Sequence, residues 1–285
     1  MLRVGSLFAL LLLIEQGAAS GVETWSSPGR KPLDIVVRDR EFGRVSSADI
    51  AAVLQSAALE LRRHCPHTQI PGIDVCHRDD HPQMDSELMA NGRLRIGLTA
   101  RDTRWAQFSF QFAHEFCHTL ANYSNGGRPS VRRPHHANLW LEESLCETAS
   151  LYVLRAMGRT WLTSPPHPAW RSYAPWLSAY AGQRLALPQH RLPGETPFIV
   201  WFRNHQPALR RNATLREWNT TIAIELLPIL EAEPRGWGTL KFLNGGSGSA
   251  DASLAQHLSA WRSRCPRDLR QFVTKLAAVF EVIGK

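Results

Sequence analysis

The sequence predicts an α+β fold in which a small mixed sheet with helices comes first and a mainly helical half follows. Short stretches rich in β-branched and apolar residues have the composition of strands. These strand candidates lie at 32–38, 73–77 and 94–98. Apolar residues at 46–63 recur on one face at helical spacing. Two further helical patterns, at about 215–230 and 267–282, indicate a helical C-terminal half.

The composition is typical of a soluble globular protein. The chain has 285 residues, of which 44% are hydrophobic and 20% charged, and this balance argues against disorder. The formal charge is +8, and the basic residues are scattered in short pairs such as Arg132-Arg133. No nucleic-acid-binding motif surrounds these pairs. We therefore expect a solvated basic surface and no nucleic-acid partner.

The first twenty residues have the pattern of a signal peptide. Arg3 supplies a positive start, an apolar run follows at 7–14, and small residues at 18–20 precede a predicted cleavage before Gly21. The apolar run is too short to cross a bilayer of about 30 Å as a permanent helix. We expect a secreted or periplasmic protein with no stable membrane anchor, and an uncleaved anchor is the alternative.

After the signal peptide at 1–20, the sequence predicts two parts. An N-terminal α/β part at 21–128 contains a long apolar helix at about 105–120. A mainly helical part at 129–285 begins, after a loop rich in glycine and proline at 122–138, with a second helix from residue 139 to about 157. Gly158 follows this second helix and is predicted to close it.

One polar stripe interrupts the first apolar helix, and it contains two histidines. The sequence His-Glu-Phe-Cys-His stands at 114–118, so His114 and His118 are four residues apart and project from one helix face. Buried polar groups without partners cost about 1–3 kcal/mol each, so these imidazoles need a partner such as a shared metal ion. Glu115 lies one step round the helix, where it can reach a water on that ion.

The second helix carries carboxylates on an otherwise apolar surface. Glu143, Glu147 and Ser150 form its polar stripe, and carboxylates that face a core need a cation opposite them. Zn²⁺ held by two imidazoles and one carboxylate, with an open position, is a catalytic site. We predict Glu143 as the third ligand in preference to Glu142, because only Glu143 has a partner one turn on. That partner, Glu147, can accept the outward N–H of a ligand histidine.

These motifs together resemble the gluzincin metallopeptidases, which combine His-Glu-x-x-His with a glutamate on a second helix. Trp-Leu-Glu-Glu at 140–143 is similar to the start of that helix in their aminopeptidase-like branch. The resemblance implies a zincin-like fold, zinc ligands at His114, His118 and Glu143, and a general base at Glu115. It covers about 32–157, including the similar order of strands before the first helix.

Two departures from related families narrow this resemblance. The Gly-x-Met-Glu-Asn motif, by which the aminopeptidases hold a free N-terminus, does not occur in the chain. Ala121 and Ser124 stand where the metzincins need glycine and histidine. The resemblance therefore extends to the metal motif and the fold around it, but not to a particular specificity.

The predicted function is hydrolysis of peptide bonds in a peptide or protein substrate by a zinc-activated water, with Glu115 as general base. A side chain that stabilises the oxyanion should come from the second half, and the sequence leaves five candidates: Tyr173, Tyr180, His167, His190 and His205. One alternative is a catalytically weak or inactive zinc-binding protein that acts as a binding module on a zincin scaffold. Another is a basic surface binder in which the motif is incidental.

Five cysteines in an exported protein suggest disulfides. Cys65 and Cys76 flank a short loop and are candidates for a local bridge. Cys117 and Cys146 each follow a predicted ligand by three residues, so the two sulfurs could meet beside the metal. They could equally remain two buried thiols. Cys265 is left over under this pairing.

Overall fold

The computed structural model describes residues 32–38, 41–66, 68–123, 136–245 and 250–282. From residue 31 onward, contacts join the chain into one unit. The predicted signal peptide at 1–20 and its cleavage site lie outside the described residues. The predicted boundary at 128 also lies outside them, as does most of the predicted loop at 122–138.

The sheet is small and mixed, as the sequence predicts. Its four strands are β1 (Ile35–Val37), β2 (Ile73–His77), β3 (Gln83–Met84) and β4 (Leu94–Leu98). They lie in the order β1-β2-β4-β3, with the first three parallel and β3 antiparallel to β4. The sequence does not reveal β3, because two residues after a proline are too short to show a strand pattern. This short strand forms one edge of the sheet.

Helices make up most of the described chain. The α-helices are α1 (Ser47–Arg62), α2 (Trp105–Tyr123), α3 (Leu139–Thr160), α4 (Ala174–Ala186), α5 (Phe198–Arg211), α6 (Arg216–Ala232), α7 (Leu254–Arg264) and α8 (Arg267–Val279). Three 3₁₀-helices join them, at Pro168–Tyr173, Pro188–His190 and Pro234–Phe242. Helices α4, α5 and α7 were not predicted. The α+β class and the helical C-terminal half are confirmed.

The predicted end of α3 at Gly158 is wrong, because the helix continues to Thr160. Gly158 is instead a point of close approach between α3 and α4. A Cβ atom built there would lie 2.1 Å from the Ser178 hydroxyl oxygen and 3.3 Å from the carbonyl oxygen of Ala174. The glycine therefore serves helix packing rather than helix termination.

Helix α3 is the central element of the fold, and it positions half of the candidate site. It packs against α1, α2, α4 and α6 and is buried along most of its length. Its polar residues Ser144, Thr148 and Ser150 donate to carbonyl groups four residues earlier, so their burial leaves no hydroxyl without an acceptor.

Among the described residues, no helix has both the length and the apolar character that crossing a bilayer requires.

Candidate metal centre

Helices α2 and α3 lie against each other and bring the three predicted metal ligands together. The Nε2 atom of His114 is 3.4 Å from Oε2 of Glu143, and Nε2 of His118 is 3.7 Å from the same oxygen. Two donors that bind a tetrahedral zinc ion at about 2.0–2.1 Å are about 3.3 Å apart. Each Nε2 atom therefore lies near the spacing expected between the Glu143 oxygen and a second ligand of the same zinc ion.

The three side chains are accessible from solvent. Their exposed fractions are 21% for His114, 15% for His118 and 23% for Glu143. Structural zinc sites are closed by four protein ligands, whereas catalytic sites keep one position open for water or substrate. Three donors at a partly exposed point on the protein match the catalytic arrangement.

The other nitrogen of each imidazole faces a further carboxylate. Nδ1 of His118 is 2.6 Å from Oε1 of Glu142, and Nδ1 of His114 is 3.5 Å from Oε2 of Glu147. Such contacts hold the proton on Nδ1 and direct the Nε2 lone pair at the metal position. This role is the one predicted for Glu147. That of Glu142 is not visible in the sequence, because it depends on how α3 is rotated relative to His118.

Glu142 is buried and its oxygens are fully engaged. Besides the contact with His118, Oε1 accepts a hydrogen bond of 2.7 Å from Asn122, and Oε2 accepts one of 2.6 Å from Asn244. Burial raises the pKa of the Glu142 carboxyl, but the hydrogen bonds from His118 and Asn244 outweigh burial and lower it overall. Glu142 is therefore an ionised hydrogen-bond acceptor for Nδ1 of His118.

Glu147 is held in a similar way by the C-terminal half. Its Oε1 accepts a hydrogen bond of 3.0 Å from the Thr220 hydroxyl on α6 and lies 3.5 Å from Nη2 of Arg184 on α4. Burial raises the pKa of Glu147, but the contact with His114 and the charge of Arg184 lower it overall. Elements on both sides of α3 thus fix the carboxylate behind His114.

Without a metal, the two imidazoles carry protons. Burial lowers the pKa of His114, but Glu143, Glu147 and the charge of Glu115 outweigh it and raise the pKa to about 10. Burial also opposes the rise at His118, whose pKa the neighbouring carboxylates raise well above its usual value. Conversely, the imidazolium charges overcome burial and hold the pKa of Glu143 far below its usual range. A divalent cation that displaced both protons would leave the charge of the cluster unchanged.

Cys146 on α3 is the other candidate, besides Glu143, for the third metal ligand. Its Sγ and one nitrogen of each histidine lie within 4.8 Å of one another. Burial, together with a hydrogen bond to Cys117, raises the pKa of the Cys146 thiol well above its usual value. A thiol must lose its proton to bind a metal, whereas Glu143 is already ionised and faces both Nε2 atoms. The three-atom grouping thus includes Cys146, whereas the charge state favours Glu143 as the ligand.

Glu115 lies beside this centre and is bonded to the edge of the sheet. Its Oε2 accepts a hydrogen bond of 2.8 Å from the backbone N–H of Met84 in β3. Its other oxygen accepts no hydrogen bond from any described residue. One oxygen thus orients the carboxylate, and the second remains available to a water or a substrate.

Four of the five candidates for the oxyanion donor are engaged elsewhere. The Tyr173 hydroxyl accepts from the N–H of Ala106 at the start of α2, and His167 caps the 3₁₀-helix Pro168–Tyr173. His190 and His205 each donate from Nδ1 to a carbonyl group, on α4 and α5 respectively. None of these bonds lies at the histidine pair.

The fifth candidate, Tyr180 on α4, lies on the Glu147 side of the site. Its ring packs edge-on against Phe110 on α2, with the two centroids 6.0 Å apart. Burial raises the pKa of the Tyr180 hydroxyl, Arg184 lowers it and the charge of Glu147 raises it. Tyr180 therefore shares its surroundings with a residue that contacts His114.

Neither candidate disulfide is present in the structure, in which all five cysteines are described. Cys117 and Cys146 do lie close together, but as two buried thiols, which is the alternative that the sequence left open. Cys65 and Cys76 do not form the local bridge. The Cys65 thiol instead donates to the carbonyl oxygen of Trp237, 3.4 Å away in the C-terminal half.

Comparisons with known protein families, with characterised proteins and with solved structures give no significant match to this chain. What the centre can do follows from its own residues. It brings two histidines close to the Glu143 carboxylate and the Cys146 thiol at a partly exposed point, with the Glu115 carboxylate beside them.

Proposed function

We propose that the protein is an exported zinc-dependent hydrolase that cleaves peptide bonds. The observation that carries this proposal is the convergence of His114 and His118 on one oxygen of Glu143, at a point that solvent can reach. Zinc, when bound, supplies a Lewis acid that polarises a carbonyl group and lowers the pKa of a bound water. Export rests on the signal-peptide pattern at 1–20.

The proposal includes a zincin-like fold and membership of the gluzincin type. A mixed sheet with an antiparallel edge strand, followed by two adjacent helices that carry His-Glu-x-x-His and a glutamate, supports it. The support comes from the arrangement of these elements and from the motif residues. The resemblance to the gluzincins does not extend to the C-terminal helices.

In the proposed mechanism, Glu115 is the general base. Its free oxygen takes a proton from the attacking water and passes it to the leaving amine, while Met84 holds the other oxygen in place. Glu142 and Glu147 keep the two imidazoles in the tautomer whose Nε2 atoms can bind a metal. Tyr180 is the side chain that we assign to the oxyanion, because the charge of Glu147 acts on its hydroxyl and the other four candidates are bonded elsewhere.

The position of the sheet edge beside Glu115 favours a peptide substrate. Strand β3 is the edge of the sheet, and its residue Met84 contacts Glu115 directly. An extended peptide that lay along this edge would pass its backbone beside the metal position. The edge strand would thus bring the scissile bond to the base.

The test is metal analysis of the purified mature protein, followed by incubation with a broad peptide library. We expect about one zinc per chain and cleavage that a chelator abolishes and zinc restores. A protein with one zinc and no cleavage of any peptide would be the zinc-binding module instead. A protein that binds no zinc would contradict the proposal as a whole.

A further inference from the structure

Asn244 reaches the metal centre from a distant part of the chain. It follows the 3₁₀-helix Pro234–Phe242 and is buried, with 7% of its surface exposed. Its Nδ2 donates to Oε2 of Glu142 at 2.6 Å and to Oδ1 of Asn122 at 2.9 Å. Oε1 of Glu142 is therefore held by His118 and Asn122 on α2, and Oε2 is held by Asn244 in this segment.

The amide of Asn244 is oriented by its donors alone. Its Oδ1 atom is buried and accepts no hydrogen bond among the described residues, which costs about 1–3 kcal/mol. Turning the amide over would place that oxygen against the Glu142 carboxylate, where two acceptors repel. The residue is thus placed for what it donates to Glu142 and Asn122.

We propose that Asn244 is a positioning residue for the metal ligand His118, acting through Glu142. This inference rests on the proposed zinc site. If Asn244 were lost, Oε2 of Glu142 would be buried without a donor, and the carboxylate would turn away from the orientation that receives Nδ1 of His118. The C-terminal half thereby completes a site whose metal ligands all lie on α2 and α3.

The experiment measures zinc affinity of the full mature chain by competition with a chelator. Asn244→Ala should weaken zinc binding by about 10–100-fold, the range typical of groups that hold a metal ligand in place. Asn138→Ala is the matched control. Asn138 is also buried and ties the start of α3 to the C-terminal half through the carbonyl of Ala252, but its side chain makes no hydrogen bond to Glu142. We expect the control to retain wild-type zinc affinity.

A double-mutant cycle with Glu142→Ala shows whether Asn244 acts through Glu142. Once Glu142→Ala is present, adding Asn244→Ala should cause no further loss. Imidazole ¹⁵N spectra of the zinc-loaded protein provide a second readout, in which the Nδ1 resonance of His118 should shift in Asn244→Ala because its hydrogen bond to Glu142 weakens. Wild-type affinity in Asn244→Ala, or losses that add in the double variant, would overturn the inference.

If Asn244→Ala does not fold, the nearly isosteric Asn244→Asp replaces it. This variant lacks the donors and should bind zinc weakly. Adding Glu142→Gln restores a donor–acceptor pair with the roles exchanged, so the double variant should recover part of the affinity. If Asn244→Asp and the double variant bound zinc equally weakly, the inference would be contradicted. A wild-type chain that binds no zinc would instead contradict the proposed function, so the two failures are distinguishable.

Discussion

The Glu115 carboxylate accepts a hydrogen bond from the backbone N–H of Met84, with 2.8 Å between Oε2 and nitrogen. This bond joins the helix that carries the metal motif to the edge strand of the sheet. A backbone donor does not change when side chains are mutated. It therefore fixes one oxygen of Glu115, and any variant that keeps an acceptor there keeps the bond.

The variant Glu115→Gln should retain the fold and the zinc but lose hydrolysis. Glutamine can still accept the Met84 N–H through its amide oxygen, but its nitrogen cannot take a proton from water. General-base catalysis contributes about 10²–10⁴-fold to the rate. We therefore expect kcat/KM to fall by about 10²-fold or more. The measurement is peptide cleavage at equal zinc occupancy. A rate of about one tenth of the wild type would rule out Glu115 as the base.

The core of the site could be predicted from the sequence because its signal is local. Residues four apart share a helix face, so His114 and His118 are paired by helix geometry alone. Glu143 and Glu147 are paired in the same way. The contact of Glu142 with Asn244 spans 102 residues and has no periodic signature, so only the folded chain reveals it.

The unpredicted helices have different explanations. Helix α5 contains Pro207 in its interior, and a proline inside a helix weakens the helical pattern. Helix α7 is short, but it does carry a detectable signal. Ser253 and Gln256 form a capping box, in which each side chain bonds the backbone of the other. A search for that box would have located its start.

The identity of the third ligand is tested by comparing three variants on α3. Glu143→Ala should lower zinc affinity by more than about 100-fold, which exceeds the loss typical of a group behind a ligand. Cys146→Ser should leave the affinity nearly unchanged, because the thiol stays protonated beside Cys117. Glu142→Ala should lower zinc affinity by an amount between the losses of these two variants. Chelator competition measures all three, and a larger loss in Cys146→Ser than in Glu143→Ala would reverse the assignment.

Zinc binding should release about two protons per chain at pH 7, because both imidazoles are protonated in the metal-free state. Affinity should consequently rise with pH throughout the neutral range. Calorimetry in buffers of different ionisation enthalpy counts the protons. Release of none would show that the histidines are neutral before zinc arrives.

The same pKa shifts determine how the metal-free fold depends on pH. The pKa of His114 rises from 6.5 to about 10 on folding, so its contribution to the free energy of unfolding is complete below pH 6.5 and disappears as pH approaches 10. The lowered pKa values of Glu142, Glu143 and Glu147 act oppositely, and their contribution is lost as pH falls below 4.5. Chelator-treated protein should therefore be less stable to urea at pH 9 than at pH 6. A difference that persists in the double variant His114→Ala/His118→Ala would have another source.

The state of the cysteines is tested by alkylation. In the native protein Cys76 is half-buried, whereas the other four cysteines are buried. Burial also raises the pKa of Cys146, and of Cys265 to about 11, which depletes the reactive thiolate. We expect an alkylating reagent to modify Cys76 first, with mass spectrometry of the peptides as the readout.

Unfolding separates protection by burial from protection by a disulfide. In denaturant without a reductant, Cys117 and Cys146 should become alkylated as readily as Cys76, because the structure gives them as thiols in contact. If both resisted until a reductant was added, they would be joined by a disulfide in the isolated protein. The two thiols already lie close together, so the oxidation state of the sulfurs, rather than the packing of α2 against α3, would then differ from the structure.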